Sequence, residues 1–300
     1  MKAKRKYSDK REQLIFYCVM IAIPVIQICI FYFGVNFNSF VLAFKSYTVD
    51  GVKYGFDNFK QVFFDLFNDI RWAYAFKNSL LVYAITTGVN IPLALLFAYY
   101  IYRKKPAANF FKTMLYFPAI ASSIVMVILF KYFVDTFIPS VVFQTSGKEI
   151  MGLMSNPDTT MLMLIFYMII TGFGTNTLLL SGAMASVNDS TVEAAKIDGA
   201  TPFQIFFKVV LPHVWPTLVT ILVTGLATLF LNQFNLFSLY GNNAETKFIT
   251  IGYLLYKLTY RASNTEYPYL AAFGLILTVI IIPITLGVRK LLNKVGPSDE

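Results

Sequence analysis

Charged side chains are scarce in this sequence of 300 residues. Only 14% of the residues are charged, whereas about 25% are charged in a typical soluble domain, and 57% are hydrophobic. A chain with so few polar residues cannot cover a globule that faces water on all sides, which excludes an ordinary soluble domain. We therefore expect the lipid bilayer to be part of the solvent of this protein.

Cysteine and histidine are nearly absent. Cys18 and Cys29 lie eleven residues apart in one apolar run, too far along a single helix to bridge, which excludes a disulfide framework and a cysteine-based zinc site. His213 is the only imidazole, so the sequence has no histidine pair for a metal and no histidine-based catalytic pair. It also lacks a Gly-x-x-x-x-Gly-Lys-Ser/Thr phosphate-binding loop and a Gly-x-Ser-x-Gly nucleophile motif. The chain is predicted to be neither an ATPase nor another enzyme, and to bind no metal.

Long apolar runs are the most prominent feature of the sequence. A helix needs about 20 apolar residues to cross about 30 Å of hydrocarbon, and six runs reach this length. The sequence therefore predicts an all-α, polytopic membrane protein, with a basic tail over 1–13, a transmembrane domain over 14–288 and a second tail over 289–300. The six predicted spans are Leu14–Gly34, Asn78–Tyr102, Phe110–Phe130, Thr160–Ser181, Val214–Leu236 and Tyr269–Val288.

The distribution of positive charge predicts the orientation of these spans. Fifteen of the 25 Lys and Arg residues fall in the two tails and the second and fourth loops, which leaves ten in the longer opposite loops. The positive-inside rule then places both termini in the cytoplasm. The net charge of +9 therefore fits a membrane protein rather than a nucleic-acid-binding one. The outer segments 35–77, 131–159 and 237–268 are expected to form short, partly helical elements.

The loop over 186–212, between the fourth and fifth spans, carries local signals for two short helices. Ser190 with Glu193 is a candidate capping box that starts the first helix, and Gly199 fits the left-handed position that ends it. Thr201-Pro202 with Gln204 predicts the start of a second helix, which is expected to end near Leu211-Pro212. The loop thus predicts a helix, a glycine elbow and a second helix.

The predicted elbow is too short to span the membrane and too apolar for a solvated loop. Its second helix presents Phe203, Phe206 and Phe207. An exposed aromatic face of this kind indicates a partner surface. An elbow that lies on lipid headgroups is the alternative.

The same loop resembles a known motif. Glu193-Ala194-Ala195, Gly199 and the run Val209–Pro212 stand at the spacing of the EAA loop of binding-protein-dependent ABC importer permeases, with Val209 in place of Ile as the one departure. The run from Glu193 to Pro202 resembles the carbohydrate branch, in particular the first membrane subunit of maltose-type and oligosaccharide importers. The resemblance extends to 55–59, 156–158 and 234–237, and it implies a MetI-like permease fold.

The resemblance implies that the loop couples the chain to a cytoplasmic ATPase. The implied partners are a second homologous permease subunit, two ABC ATPase subunits and an extracytoplasmic substrate-binding protein, in a bacterial cell membrane. The chain then binds no cofactor, and its ATPase partners use ATP and Mg. The implied coupling residues are Glu193, Ala194, Ala195, Asp198, Gly199, Phe203, Phe206, Phe207, Leu211 and Pro212.

Polar residues inside the spans predict where a substrate passes, because such residues face a bundle interior or a cavity. Amides suit sugar hydroxyls, and aromatic faces suit the apolar face of a pyranose. Helix–helix packing is the alternative role for these residues, and the resemblance to the maltose-type subunit favours the pathway. The candidate pathway residues are Gly172, Thr175, Asn176, Phe230, Asn232, Gln233, Phe234 and Asn235.

The expected function is thus the import of a sugar or oligosaccharide, driven by ATP hydrolysis in partner subunits. The same machine for glycerol phosphate or a peptide is one alternative. A phosphate substrate should place Arg or Lys in mid-span, and the sequence has none there. An ion-coupled secondary transporter is the other alternative. The spans hold no Asp or Glu away from their ends, which disfavours a proton relay but leaves a sodium site of carbonyls open.

Overall fold

The computed structural model describes residues 2–48 and 51–297, and 78% of the chain is helical. The prediction of an all-α protein is therefore confirmed. The helices of the described residues are α1 (Lys2–Gln27), α2 (Asn36–Ala43), α3 (Asp57–Asn68), α4 (Ile70–Tyr102), α5 (Ala108–Ile120), α6 (Ser123–Tyr132), α7 (Ile138–Ser146), α8 (Thr160–Ala185), α9 (Asp189–Ile197), α10 (Pro202–Ile205), α11 (Leu211–Ala227), α12 (Leu236–Tyr240), α13 (Ile251–Arg261) and α14 (Tyr267–Val295).

Three π-helical segments and one 3₁₀ turn complete the helical structure of these residues. The π segments join α1 to α2, α6 to α7 and α10 to α11 without a break, and they cover Ile28–Val35, Phe133–Phe137 and Phe206–Val210. The 3₁₀ turn is Thr246–Phe248. Two strands, β1 (Lys45–Thr48) and β2 (Gly51–Tyr54), form an antiparallel hairpin between α2 and α3, an element that we did not predict.

Six helical segments of the described chain are long and apolar enough to cross a membrane, so the predicted number is confirmed. They are Lys10–Ala43, Ile70–Tyr102, Ser123–Ser146, Thr160–Met184, Pro202–Ala227 and Tyr267–Val295. The predicted boundary at residue 13 falls inside α1 rather than at a helix end.

The third predicted span, Phe110–Phe130, is wrong as a single helix. The chain breaks after α5, where Ala121 is extended, and the apolar segment resumes with α6 and continues to Ser146. Pro118 lies just before this break; it has no N–H for the carbonyl one turn before it, and the helix ends two residues later. The membrane-length segment is therefore shifted toward the C-terminus relative to the prediction.

The fifth span begins and ends earlier than predicted. Its helix starts at Pro202 and passes through the π turn, so the predicted stop near Leu211-Pro212 is wrong. In the π turn the N–H of Leu211 donates to the carbonyl of Phe206, five residues back, directly before the proline that has no N–H. The helix then ends at Ala227 instead of Leu236, and residues 228–235 form turns.

The chain divides into two compact units. The first contains residues 1–66 and 261–278. In it, the Nδ2 of Asn58 donates to the carbonyls of Ala43 (2.9 Å) and Lys45 (2.7 Å), and the rings of Phe44 and Phe59 lie 5.0 Å apart. These contacts join the end of α2, the hairpin and α3. The α1 segment carries no buried residue over its apolar window, as expected of a helix that faces lipid or a partner.

The second unit contains residues 67–260 and 279–300, and it holds the candidate site. Helix α4 begins at an N-cap, Asp69, whose carboxylate accepts from the backbone N–H of Arg71 at 2.9 Å and pairs with its guanidinium. This hydrogen-bonded pair lowers the pKa of Asp69. Helices α4 and α8 pack along each other, and α11 packs against α8. These three helices build both features described next.

Candidate functional site

The predicted elbow is present between α8 and α11. Helix α9 starts at Asn188 rather than at the predicted Ser190, because the Asn188 side chain accepts from the N–H of Ser190 at 3.1 Å and acts as the N-cap. The candidate capping box of Ser190 with Glu193 is therefore wrong. Both Asn and Ser are good caps, and the chain uses the earlier one.

The turn between α9 and α10 follows the prediction. Gly199 has a φ of +80°, a left-handed conformation that L side chains rarely adopt. Two residues later the Thr201 side chain accepts from the N–H of Gln204, and the Gln204 side chain accepts from the N–H of Thr201 at 2.7 Å. The left-handed glycine and the second capping box are confirmed, and together they hold the two helices at a fixed angle.

The inner side of the elbow is anchored in the ends of the membrane helices. Val192 of α9 and Ile205 of α10 are buried in one apolar cluster with residues of α4, α8 and α11. The hydroxyl of Tyr99 in α4 donates to the carbonyl of Pro202 at 3.0 Å, and its ring lies 4.8 Å from that of Phe206. A displacement of the elbow must therefore move the ends of these three helices.

The outer side of the elbow is apolar and exposed. Ile197 is 86% exposed, Phe203 76% and Phe207 55%, and the two phenylalanine rings are stacked with their centroids 6.2 Å apart. We call these three residues the knob. Ile197 was not among the predicted coupling residues. Its position two residues before the helix-ending Gly199 was the available signal.

The structure divides the predicted coupling residues between the two sides. Those on the inner side are half-buried: Ala195, Phe206, Leu211 and Pro212. Those that are exposed are Glu193, Ala194, Asp198, Gly199, Phe203 and Phe207.

A polar cleft of about 320 Å³ lies between α4, α8 and α11, further along the same helices. Eight of its twelve described lining residues carry a hydroxyl or an amide, most of the lining surface is apolar, and none of these residues is Lys, Arg, Asp or Glu. The polar residues of the lining are Tyr83, Thr86, Thr87, Asn90, Asn176, Thr220, Thr224 and Thr228.

Some of the lining hydroxyls are left as hydrogen-bond acceptors. The hydroxyls of Thr86, Thr220 and Thr228 donate to carbonyls of their own helices, so their remaining capacity is to accept. The Oδ1 of Asn90 is buried, and no described residue donates to it. A ligand that carries several O–H donors matches this set.

Asn176 is the one predicted pathway residue that lines the cleft. Gly172 lies beside Asn90, because a Cβ there would be 2.8 Å from the Asn90 Nδ2, so this glycine makes room for the amide. Thr175 is exposed, at a different position of α8. The other lining residues of α4 and α11 were missed. They follow a helical spacing, as in Thr220, Thr224 and Thr228, which was the available signal.

The remaining predicted pathway residues belong to the turns that follow the cleft residue Thr228. Phe230 is buried against Phe76 with centroids 5.4 Å apart. The Oδ1 of Asn232 accepts from the N–H of Phe234 at 2.8 Å. Phe234 and Asn235 are both left-handed, with φ of 47° and 57°. The Oε1 of Gln233 is buried without a described partner.

The segment that follows these turns is held by Tyr240. Its hydroxyl donates to the carbonyl of Met154 at 3.2 Å, and burial raises the pKa of Tyr240 to about 12. The hydroxyl therefore stays protonated at any physiological pH. The segment is a fixed element rather than a frayed helix end.

The comparisons with known proteins agree with this architecture. Residues 90–296 match the family described as binding-protein-dependent transport system inner membrane component. The multiple sugar-binding transport system permease protein MsmF of Streptococcus mutans is 26% identical over 278 residues, which cover 90% of this chain and 92% of that protein. A probable ABC transporter permease protein of Mycoplasma pneumoniae is 30% identical over 208 residues, 66% of this chain. The matched region spans 60% of that protein's length.

A solved structure has the same fold. It is a chain of a bacterial alginate ABC transporter in complex with a periplasmic protein bound to an alginate pentasaccharide. The TM-score is 0.77 at 22% identity, and the match covers 96% of this chain and 98% of the other.

Proposed function

Since the chain belongs to the family of binding-protein-dependent transport system inner membrane components, we propose that it carries a sugar or oligosaccharide across a bacterial cell membrane, coupled through its elbow to an ATPase. The chain is the permease of an ABC importer and not its ATPase. The ATPase, which uses ATP and Mg, is a separate subunit in this proposal.

The observation that carries the proposal is the arrangement of the elbow. Its inner side is packed into the ends of α4, α8 and α11, and its outer side presents the exposed knob. An apolar surface of this kind on a rigid support is a site for a protein partner. We assign it to the ATPase, with Glu193 and Asp198 as polar contacts at its edge.

The elbow acts as a lever on the cleft, because both are built on the same three helices. Closure of the ATPase pair moves the knob, and the buried residues Val192 and Ile205 pass this movement to α4, α8 and α11. The same three helices line the polar cleft. A small rotation of them at one end therefore changes the width of the cleft at the other.

The substrate class is proposed from the chemistry of the cleft. Acceptors on Thr220 and Thr228, with the amide of Asn176, suit the hydroxyl groups of a sugar. The name of the Streptococcus mutans relative, a multiple sugar-binding transport system permease, favours the same class. A phosphate substrate is disfavoured because no described lining residue is cationic, and a proton-coupled carrier because none is acidic.

The remaining partners follow from the family. A second permease subunit completes the pathway, two ATPase subunits supply the energy, and a substrate-binding protein delivers the sugar. With both termini in the cytoplasm, the elbow faces the ATPases and the outer turns around Asn232 face the binding protein. The Asn232 and Gln233 amides then stand at the entrance of the pathway and Asn90 with Asn176 further inside.

A pair of double variants tests the pathway. In Asn90→Leu/Asn176→Leu both amides of the cleft are lost at nearly constant volume, and we expect KM for sugar uptake to rise or uptake to fall at least tenfold. A lost hydrogen bond contributes roughly 0.5–1.5 kcal/mol, and two of them account for this factor. In Asn232→Ala/Gln233→Ala the entrance changes, and we expect weaker uptake or an altered choice of sugars. Uptake by cells that express the transporter is the measurement.

The matched control is Asn36→Leu/Asn109→Leu, which removes two exposed helical amides outside the cleft. It is expected to transport like the parent chain at equal membrane content. If the cleft variant transports equally well, the cleft amides serve helix packing and the pathway lies elsewhere.

A further inference from the structure

A second cleft, of about 710 Å³, opens where α4, α5, α8 and α9 meet. Its lining is strongly basic, with four cations and a single carboxylate, Asp189. The cations come from three separate places in the sequence, the α4–α5 connection, α5 and α9. They are Arg103, Lys104, Lys112 and Lys196.

None of these four cations is neutralised by the part of the chain that the structure describes. No carboxylate oxygen of residues 10–48 or 51–297 lies within 4.0 Å of their nitrogen atoms. The guanidinium of Arg103 lies 6.0 Å from the ring of Tyr99. A concave group of unpaired cations favours an anion with several acceptor oxygens.

The connection that carries Arg103 and Lys104 is fixed before any ligand binds. The N–H groups of these two residues donate to the carbonyls of Tyr99 and Ile101, both at 2.9 Å. The Tyr100 hydroxyl donates to the carbonyl of Pro106 at 2.6 Å. The cations are therefore presented by a closed loop rather than by a flexible one.

Exposed apolar side chains lie on α5, the helix that supplies Lys112 to the cleft. They are Phe110, Phe111, Met114 and Phe117. A helix of 13 residues is about 20 Å long, enough to follow one leaflet of a bilayer with about 30 Å of hydrocarbon. A molecule with a phosphate at one end and an acyl chain at the other fits both surfaces.

We propose that this basic cleft binds the phosphate of an anionic membrane lipid, whose acyl chains lie along α5. Basic pockets between membrane helices on the cytoplasmic side favour such headgroups. The inference rests on the proposed function only for its assignment to the cytoplasmic leaflet. Because the elbow helix α9 supplies Asp189 and Lys196 to the cleft, bound lipid braces the elbow against the α4–α5 connection.

The ATPase is the other partner whose acidic groups could bind the cations of this cleft. The knob residues Phe203 and Phe207 do not line it. The cleft residues Asp189, Val192 and Lys196 lie on one face of α9 at helical spacing. The lipid therefore uses a face of the elbow that differs from the proposed ATPase surface.

The test is lipid binding to the purified full chain in neutral detergent. Phosphatidylglycerol is titrated and counted by native mass spectrometry, with phosphatidylcholine as the uncharged reference. Lys104→Gln/Lys112→Gln/Lys196→Gln is expected to weaken phosphatidylglycerol binding roughly a hundredfold, from about one kcal/mol per cation. Lys60→Gln/Lys77→Gln/Lys148→Gln removes the same charge from exposed positions outside the cleft and should bind like the parent.

Three results overturn the proposal. Equal affinity in the two triple variants means that net charge, not the cleft, holds the lipid. Inorganic phosphate that displaces the lipid at millimolar concentration identifies a site for the free anion. Loss of the lipid when the ATPase subunit is added assigns the cleft to the ATPase. A Lys→Arg version of the cleft variant keeps the charges and is expected to bind like the parent, which separates loss of charge from substitution at these positions, and the assay needs no transport.

Discussion

Replacing Phe203 and Phe207 together by aspartate is expected to abolish ATP-driven uptake while the chain remains in the membrane. Both rings are exposed, so the free chain gains two solvated charges, and the contact it loses is that of Phe207 with the half-buried Phe206, 4.9 Å between ring centroids. In the complex, each change removes roughly 1.5–3 kcal/mol of apolar burial and leaves a carboxylate without a partner. A loss of this size separates the ATPase from the permease. Uptake and co-purification of the ATPase, both at equal membrane content, are the measurements.

Two controls separate this effect from a general loss of apolar surface. Phe203→Leu/Phe207→Leu keeps an apolar knob and is expected to retain the ATPase. Phe63→Asp/Phe67→Asp has the same four-residue spacing on α3, with side chains 52% and 86% exposed, and should also retain it. A chain that carries Asp at both 203 and 207, binds its ATPase and transports normally would show that the knob is not the coupling surface.

Gly199→Val is expected to remove coupled transport, whereas Gly199→Asn is expected to keep most of it. At a φ of +80° a β-branched side chain is strained by about 1–2 kcal/mol per residue, while Asn tolerates the left-handed region. No atom lies within 4 Å of a Cβ at this position, so the two variants differ in backbone strain and not in crowding. The strained chain straightens the elbow and misplaces the knob.

The measurement for this pair is sugar taken up per ATP hydrolysed in the assembled transporter. Val is expected to lower this ratio severely or to release the ATPase, with Asn close to the parent. Equal coupling in the Val and Asn variants would contradict a lever that depends on the angle at Gly199.

The elbow was predictable because local signals decide its shape. The Thr201 and Gln204 capping box needs only residues within one turn, and so does the left-handed Gly199. The start of α9 was not predictable, since Asn188 and Ser190 are equally good caps by residue type and the sequence alone does not decide between them. The division of Phe203 and Phe206 between outer and inner sides also depends on Tyr99, which is distant in sequence.

The membrane spans also show what the sequence alone could not predict. Hydropathy predicts how many apolar segments exist but not where an apolar helix breaks. The break at Ala121 follows Pro118, and the turn after Ala227 is set by Asn232, whose side chain takes a backbone N–H that a helix would use. The hairpin of β1 and β2 is held by Asn58, from a helix that follows it.

The polar cleft was partly visible in the sequence. The amide of Asn176 stands out in an apolar helix, whereas Thr220, Thr224 and Thr228 do not, because threonine commonly bonds its own helix. The convergence of these side chains depends on the packing of three helices. It also depends on Gly172, which makes room for Asn90. Neither the packing of the three helices nor the contact between Gly172 and Asn90 can be predicted from the sequence of one helix alone.

The central claim is that ATP hydrolysed by a partner drives sugar through this chain. The most direct test is uptake of a labelled oligosaccharide into liposomes that contain the chain, its second permease and the ATPase subunits, with the binding protein outside. Uptake is expected only when ATP is present inside with the ATPase and the binding protein is outside, and Phe203→Asp/Phe207→Asp is expected to abolish it. Uptake by the chain without the ATPase, driven by a proton or sodium gradient, would contradict the account.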